Sequence, residues 1–145
     1  MNYTAPKQTD LTLTRAIAAR PEEVYDVWLD PKSPGGPWFG PAKVILDARV
    51  DGLFYHSVEH EGRSWAHYGR FVTLERPQRI AHTWVSEATQ GKESLVTLSL
   101  EPAGDKKTVV TLRHTGVPDD EMGRRHAEGW GFTLQMIAKR FGEKG

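Results

Sequence analysis

The sequence has no cysteine among its 145 residues. This absence excludes a disulfide framework, a thiol nucleophile and a zinc site built from thiolates. The sequence also lacks a Gly-x-Ser-x-Gly nucleophile motif, a phosphate-binding P-loop and the glycine fingerprint of dinucleotide-binding folds. The familiar sequence motifs of covalent and nucleotide-dependent enzymes are therefore missing.

Neither sign of charge predominates, because 19 lysines and arginines balance 19 aspartates and glutamates. A protein that binds nucleic acid by neutralising phosphates needs a basic surface, and a polybasic membrane-surface protein needs one as well. No apolar run approaches the roughly 18 residues of a membrane span. The polar N-terminus lacks the apolar core of a signal peptide. We therefore expect a cytoplasmic protein without a nucleic-acid or membrane partner.

Tryptophan, in contrast, is abundant, with five residues spread along the chain at positions 28, 38, 65, 84 and 130. Large rings in such numbers can simply fill a hydrophobic core. They can also line one shared cavity to which distant segments contribute. Composition alone leaves both interpretations open.

The first third of the chain alternates between regular and irregular patterns. Residues 1–9 are expected to form a loose arm, and the alternation in residues 11–19 predicts a strand. A short helix should begin at Pro21, a residue suited to the first helical turn, and should end before Pro31. The glycine- and proline-rich segment 32–41 predicts a loop that presents Trp38.

From Val44 onward, apolar residues recur with the period of two that is typical of strands. Turn signals separate these stretches, beginning with Asp51-Gly52, which predicts a tight hairpin. The predicted strands are 44–50, 53–60, 65–75, 79–86, 94–102 and 108–116. A long helix should follow an acidic first turn and continue through Phe141. The order predicts an α+β fold in which a curved antiparallel sheet of six to seven strands wraps around the C-terminal helix.

Seven stretches, in this order, carry a resemblance to a known family: RPEEVYDVWLDP, WFGP, LDARVDGLF, YGRFVTLERPQRIAHTW, ESLVTLSLEP, TVVTLRHTGVP and HAEGWGFTLQMI. They extend over roughly residues 11–141. The chain resembles the START/SRPBCC superfamily, which has the helix-grip fold of the birch-pollen allergen. Within it, the chain is similar to the family of the C-terminal domain of the activator of the ninety-kilodalton heat-shock chaperone ATPase.

The resemblance implies one START/SRPBCC-like domain over residues 1–145. In the eukaryotic co-chaperone, this domain follows a separate N-terminal domain that helps to clamp the chaperone, and this chain is too short to contain both. The resemblance therefore implies a stand-alone domain that binds a small molecule more than it implies a chaperone activator.

Strand alternation assigns an inward face to each strand, and three histidines fall on these faces. On the last helix, apolar and aromatic residues recur at helical spacing from His126 to Phe141. Together with the loop ring, these positions predict a cavity lining of Trp38, Phe54, His56, Phe71, His82, Trp84, Leu98, Leu112, His114, His126, Trp130 and Leu134.

A histidine in this lining has two open interpretations. It can orient a ligand or move a proton near neutral pH, or it can hydrogen-bond a neighbouring group and tether one element to another. The histidines lie on different strands without the spacing of metal ligands. We therefore predict no metal site and no cofactor.

Three functions remain compatible with the sequence. The first is non-catalytic binding of a hydrophobic or aromatic small molecule between the sheet and the C-terminal helix. The second is a cyclase or dehydratase that uses His56 or His82. The third is stimulation of a chaperone ATPase or another protein interaction. A homodimer is compatible with all three.

Two glycines within the last predicted helix call for a reason, since each costs roughly 0.5–1 kcal/mol relative to alanine. Gly129 and Gly131 flank Trp130. We expect their bare positions to allow a close approach between this helix and the sheet.

Overall fold

A computed structural model of the protein describes residues 8–30 and 43–142. It contains seven strands, two helices and a short 3₁₀ turn at Glu87–Thr89. The strands are β1 (Gln8–Ile17), β2 (Lys43–Leu46), β3 (Leu53–His60), β4 (Arg63–Glu75), β5 (Arg79–Ser86), β6 (Ser94–Pro102) and β7 (Thr108–Pro118). The helices are α1 (Pro21–Trp28) and α2 (Glu121–Arg140). This arrangement confirms the predicted α+β fold.

All seven strands belong to one antiparallel sheet in the order β1-β7-β6-β5-β4-β3-β2. Helix α2 packs against β1 and β7, and α1 packs against β6. The core between helices and sheet includes Trp28, Leu98, Leu112, Leu134 and Ile137, all buried. Among the described residues, no helix is both long and apolar enough to cross a membrane.

The first strand is longer than expected. It begins at Gln8 instead of Leu11, and it includes Thr9, which the sequence assigned to the loose arm. Gln8 pairs with Pro118 because β7 extends that far and offers a partner strand. This pairing joins opposite ends of the chain, so local alternation could not predict it. The predicted loop at 32–41 lies outside the described residues.

The expected Asp51-Gly52 hairpin is wrong. Strand β2 ends at Leu46, and residues 47–52 form a longer loop. The Gly52 amide donates to the Arg49 carbonyl at 2.8 Å, and Asp51 takes the left-handed conformation with φ of 67°. A Cβ at Gly52 would lie 2.1 Å from the Asp47 carbonyl oxygen. The glycine is therefore required for close packing inside the loop.

The turn between β3 and β4 consists of Glu61 and Gly62. Both residues have positive φ values, 53° and 72°, and they join β3 directly to β4. Such a conformation matches the right-handed twist of the flanking strands. A two-residue turn fixes the register of the hairpin, and in this register His56 lies opposite His67.

Helix α2 begins at a side-chain cap. The Asp120 carboxylate accepts hydrogen bonds from the amides of Met122 and Gly123 at 2.8 and 3.3 Å. A carboxylate at this position satisfies amides that lack helical partners and complements the helix dipole. The acidic residues before α2 therefore serve the start of the helix, as the sequence suggested.

The expected close approach at the two central glycines of α2 is wrong. A Cβ at Gly129 would meet open space, and one at Gly131 would make an ordinary 3.6 Å contact with Leu13. The tightly packed glycine of this helix is Gly123, whose Cβ would lie 2.2 Å from the Pro118 carbonyl oxygen. The close approach therefore occurs in the first turn of α2, where the chain leaves β7.

Candidate functional site

The inward positions of the central strands carry the aromatic and imidazole side chains that the alternation predicts. Phe54 and His56 on β3, His82 and Trp84 on β5, and His114 on β7 are all buried. Trp130 of α2 is buried as well, whereas His126 is half-buried. The strands and the helix thus bring together residues that lie up to about 75 positions apart in the chain.

Trp84 lies at the centre of this group. Its ring contacts those of four histidines and one tryptophan. The distances between ring centroids are 4.9 Å to His67 and to Trp130, 5.3 Å to His56, 6.0 Å to His82 and 6.4 Å to His114. His126 joins through His114 at 5.2 Å. We call these seven residues the imidazole–indole cluster. Five of its members are histidines, so the cluster is unusually polar for a buried group of rings.

The other predicted lining residues have different places. Phe54 and Phe71 contact the ring of His82 at centroid distances of 5.1 and 5.7 Å. Leu98, Leu112 and Leu134 are part of the buried hydrophobic core. Trp38 lies outside the described residues. The cluster therefore has an apolar base of phenylalanine and leucine side chains.

Hydrogen bonds determine the protonation of His114. The indole N–H of Trp130 donates to His114 Nδ1 at 3.0 Å, so this nitrogen must be an acceptor. The proton lies on Nε2, which donates to the Ser94 hydroxyl at 2.7 Å. Ser94 donates in turn to the Trp84 carbonyl at 2.6 Å. Within this set of bonds, His114 is neutral and ties α2 to three strands.

Two other histidines have the opposite tautomer. His82 Nδ1 lies 3.1 Å from the Thr83 carbonyl oxygen, and His126 Nδ1 lies 2.8 Å from that of Met122. A carbonyl only accepts, so both Nδ1 atoms carry protons. In the neutral ring, Nε2 is then a hydrogen-bond acceptor. The tethering interpretation applies to His114 and, within its own helix, to His126.

Burial keeps the imidazoles uncharged. It lowers the pKa of His56 to about 3, and repulsion from His67 and His82 acts in the same direction. Burial and His126 lower the pKa of His114 to about 3. The pKa values of His67 and His82 fall to about 4, mainly through burial. Burial also lowers the pKa of His126. The cluster is therefore neutral at physiological pH.

The cluster reaches the surface at two of its histidines. His67 on β4 and His126 on α2 are half-buried, and they are close enough for His126 to lower the pKa of His67. Farther along β4, Trp65 is half-buried beneath the Arg63 guanidinium, which lies 4.3 Å from its ring centroid. Arg63 also pairs with Glu87. These side chains form one edge of the cluster that solvent can approach.

Several polar atoms of the cluster have no hydrogen-bond partner among residues 8–30 and 43–142. They are Nε1 of Trp84 and Nδ1 of His67, together with Nε1 of the neighbouring Trp28. A buried donor or acceptor without a partner costs about 1–3 kcal/mol. Such atoms therefore indicate where a ligand with matching polar groups would gain binding energy.

Sequence reasoning missed His67. The signal was present, because His67 alternates with Trp65 and Phe71 on one face of β4. The two-residue turn at 61–62 also fixes the register that places His67 opposite His56. Trp28 was assigned only to the apolar stripe of α1. It stacks on Trp130 with a centroid distance of 5.9 Å.

A separate, open depression of about 280 Å³ lies on the opposite face of the sheet. Its lining includes Arg70, Thr83, Leu95 and Thr115, which alternate with the inward residues of the same strands. None of the predicted lining residues contributes to this depression. In the described parts of the chain, no group of three or more histidine, aspartate or glutamate side chains is arranged to hold a metal ion.

The fold and the cluster define a helix-grip protein with an aromatic, imidazole-rich interior. Residues 18–142 match the model of the family described as activator of Hsp90 ATPase homolog 1-like protein. The chain belongs to this family, which confirms the AHSA-like START/SRPBCC resemblance. Among curated proteins, no sequence matches the chain significantly.

Solved structures agree with this assignment. A protein from Chromobacterium violaceum is 26% identical, with a TM-score of 0.77 over 93% of this chain and 98% of that one. The AHSA1 protein from Silicibacter pomeroyi is 29% identical, with a TM-score of 0.72 over 90% and 96%. An Hsp90 activator from Plasmodium falciparum is 18% identical, with a TM-score of 0.65 over 83% and 86%, and this likeness shows the fold alone.

Proposed function

We propose that the protein binds a hydrophobic or aromatic small molecule between the sheet and α2. The observation that carries the proposal is the imidazole–indole cluster, which is neutral and rich in flat rings. Small-molecule sites are mostly apolar with a few placed polar groups, and this cluster has that composition. We place the ligand in the space between β4 and α2 bordered by His67, Trp84 and His126, and we call this space the histidine cleft.

The lowered pKa values favour binding over acid–base catalysis. A general acid or base works best when its pKa lies near the operating pH. His56 and His82, the two candidates for a cyclase or dehydratase, have pKa values of about 3 and 4. Neutral imidazoles of this kind are poor proton donors at pH 7 but effective hydrogen-bonding groups. They suit recognition of a ligand better than its conversion.

The experiment is a titration with an uncharged, solvatochromic naphthalene dye, together with native mass spectrometry of gently purified protein. We expect saturable binding of one dye per chain and a blue-shifted emission. His67→Ala should weaken dye binding several-fold, because it removes one side of the histidine cleft. Tyr68→Ala is the matched control, since Tyr68 is the next residue on β4 and lies half-exposed on the opposite face.

Two results would reject the proposal. The first is the absence of both stoichiometric dye binding and a carried ligand. The second is dye binding that Tyr68→Ala weakens while His67→Ala leaves it intact, because the dye would then occupy the outer face of the sheet.

A second candidate function is interaction with a chaperone, which the name of the family, activator of Hsp90 ATPase homolog 1-like protein, suggests. The observation that favours it is an exposed apolar row on the outer face, where Ile45, Leu53 and Tyr68 are 55%, 66% and 50% exposed. Exposed apolar patches of this kind often mark protein contacts. An Hsp90 ATPase assay with the purified chain tests it. Stimulation that Tyr68→Ala abolishes would support it, and an unchanged ATPase rate would reject it.

A further inference from the structure

The histidine cleft offers hydrogen-bonding groups of defined polarity and no ionised imidazole. We infer that it selects an uncharged aromatic ligand carrying a hydroxyl or N–H group, and that it discriminates against an aromatic carboxylate. This inference rests on the proposed function and specifies the chemistry of its ligand.

The first observation is the position of the proton on His126. Its Nδ1–H donates to the Met122 carbonyl, which is one helical turn earlier in α2. In the neutral ring, Nε2 therefore holds a lone pair and is a hydrogen-bond acceptor. A ligand atom that approaches this nitrogen must bring its own proton. A hydroxyl or N–H group can do so, and a carboxylate cannot.

The second observation is the indole of Trp84. It is 6% exposed, and its N–H finds no acceptor in residues 8–30 and 43–142. An indole N–H only donates, so its ligand partner must accept. A hydroxyl group both donates and accepts. A ligand hydroxyl can therefore accept from the Trp84 N–H or donate to an imidazole lone pair such as that of His126.

The third observation concerns charge around the cleft. The titratable groups that face it are His56, His67, His82, His114 and His126, with Asp120 near the start of α2. Arg63 is the cation at its edge, and it is already paired with Glu87 and largely exposed. A carboxylate can accept from the Trp84 N–H, but against the lone pair of His126 it is repelled unless an imidazole gains a proton. For a pKa of about 4, as at His67, this costs roughly 1,000-fold in affinity at pH 7.

The experiment compares three ligands that share one ring system: 2-naphthol, 2-naphthoate and naphthalene. Each is measured by displacement of the uncharged dye from the full chain at pH 7.5. We expect 2-naphthol to bind at least about tenfold more tightly than either other ligand, the gain expected of a satisfied buried hydrogen bond. 2-Naphthoate should gain affinity as the pH falls toward 5.5, whereas 2-naphthol should not.

Two variants on α2 test whether His126 is responsible for the preference for 2-naphthol over naphthalene. His126→Leu removes the acceptor and should reduce the affinity for 2-naphthol about tenfold while naphthalene binds as before. Glu128→Leu is the matched control, because Glu128 is exposed on the same helix. It should change neither affinity. A general loss of structure in His126→Leu would lower the affinity for both ligands equally. A larger loss of affinity for 2-naphthol than for naphthalene therefore reports the hydrogen bond alone.

The failures of the two proposals are distinguishable. If the dye binds but 2-naphthoate equals or exceeds 2-naphthol, the inference is wrong and the binding function stands. If the three ligands displace the dye equally well, the polar groups do not select, and the inference is again wrong. If neither the dye nor any naphthalene compound binds, both proposals are overturned.

Discussion

His114 is the residue whose role the structure defines most completely. Its two ring nitrogens are both used, one accepting from Trp130 and the other donating to Ser94. Because the residue is buried, neither bond can be replaced by water. His114 therefore holds α2 against the sheet, and its neutrality is a condition of that contact.

We expect His114→Leu to lower the free energy of unfolding by about 1–3 kcal/mol, because the Trp130 N–H would be buried without a partner. Urea denaturation followed by circular dichroism measures this loss. The double variant His114→Leu/Trp130→Phe removes the stranded donor as well, so it should cost less than the sum of the single variants. Strict additivity would contradict the proposed pairing.

At the residue scale, the sequence predicted which side chains face inward but not how they are bonded. The alternation identifies Phe54, His56, His82 and Trp84 as inward positions because the side-chain period of a strand is two. It contains no information about tautomers, which depend on carbonyl and hydroxyl partners from other strands. Ser94 is one such partner, and its role follows only from the pairing of β5, β6 and β7.

The elements α2 and β7 meet at a tight junction. Gly123 lies in the first turn of α2, and its Cα faces the Pro118 carbonyl oxygen so closely that a Cβ would lie 2.2 Å away. Gly129, two turns later, faces open space. Substitutions of Gly123 and Gly129 therefore test the packing of α2 in opposite directions.

Gly123→Ala should destabilise the protein by more than about 1 kcal/mol, because the backbone of the junction must shift. Gly129→Ala should instead stabilise it by about 0.5–1 kcal/mol, through helix propensity alone. Thermal and urea unfolding of both variants measure the two effects. The described packing of α2 would be contradicted if Gly123→Ala stabilised the protein, or if Gly129→Ala lowered its free energy of unfolding.

At the element scale, the sequence predicted the type and order of helices and strands because their periodic patterns are long. It failed where distant pairing decides an element's end. The start of β1 depends on β7, and the 47–52 loop depends on contacts that close around Gly52. The Asp-Gly pair is a valid turn signal, but a local signal does not reveal how many residues the turn will include.

The whole molecule concentrates its histidines in one uncharged cluster, so its stability should depend on pH. The pKa values of His56, His67, His82 and His114 are about 3–4 in the folded protein, whereas an exposed histidine has a pKa of about 6.5. Between these values the unfolded chain binds more protons than the folded chain. The stability is therefore full well above pH 6.5 and is lost progressively as the pH falls toward 4.

Each histidine whose pKa is lowered by folding should reduce the free energy of unfolding by up to about 1.4 kcal/mol per pH unit in this range. We expect the free energy of unfolding, measured in urea at pH 7.5, 6.5 and 5.5, to fall in both intervals and to fall more steeply in the second. His114→Leu should show a shallower fall, because one titrating group is removed. A stability that stays constant down to pH 5.5 would contradict the buried, neutral cluster.

The fold of the whole molecule could be predicted from the sequence, because a series of neighbouring strands followed by one long helix can pack in only a few ways. The site is less predictable, because its edges depend on side chains from several elements. His67 and His126 stand on β4 and α2, and only the folded chain brings them close enough for His126 to lower the pKa of His67.

The most direct test of the central proposal is a ¹H–¹⁵N correlation spectrum that resolves the five indole N–H groups during titration with 2-naphthol. We predict that the Trp84 resonance, assigned with a Trp84→Phe variant, shifts saturably at one equivalent of ligand. Trp130, whose N–H is bonded to His114, should shift far less. Saturable binding that leaves Trp84 unchanged and shifts the amides of Leu95 and Thr115 would place the ligand in the outer depression and contradict the account.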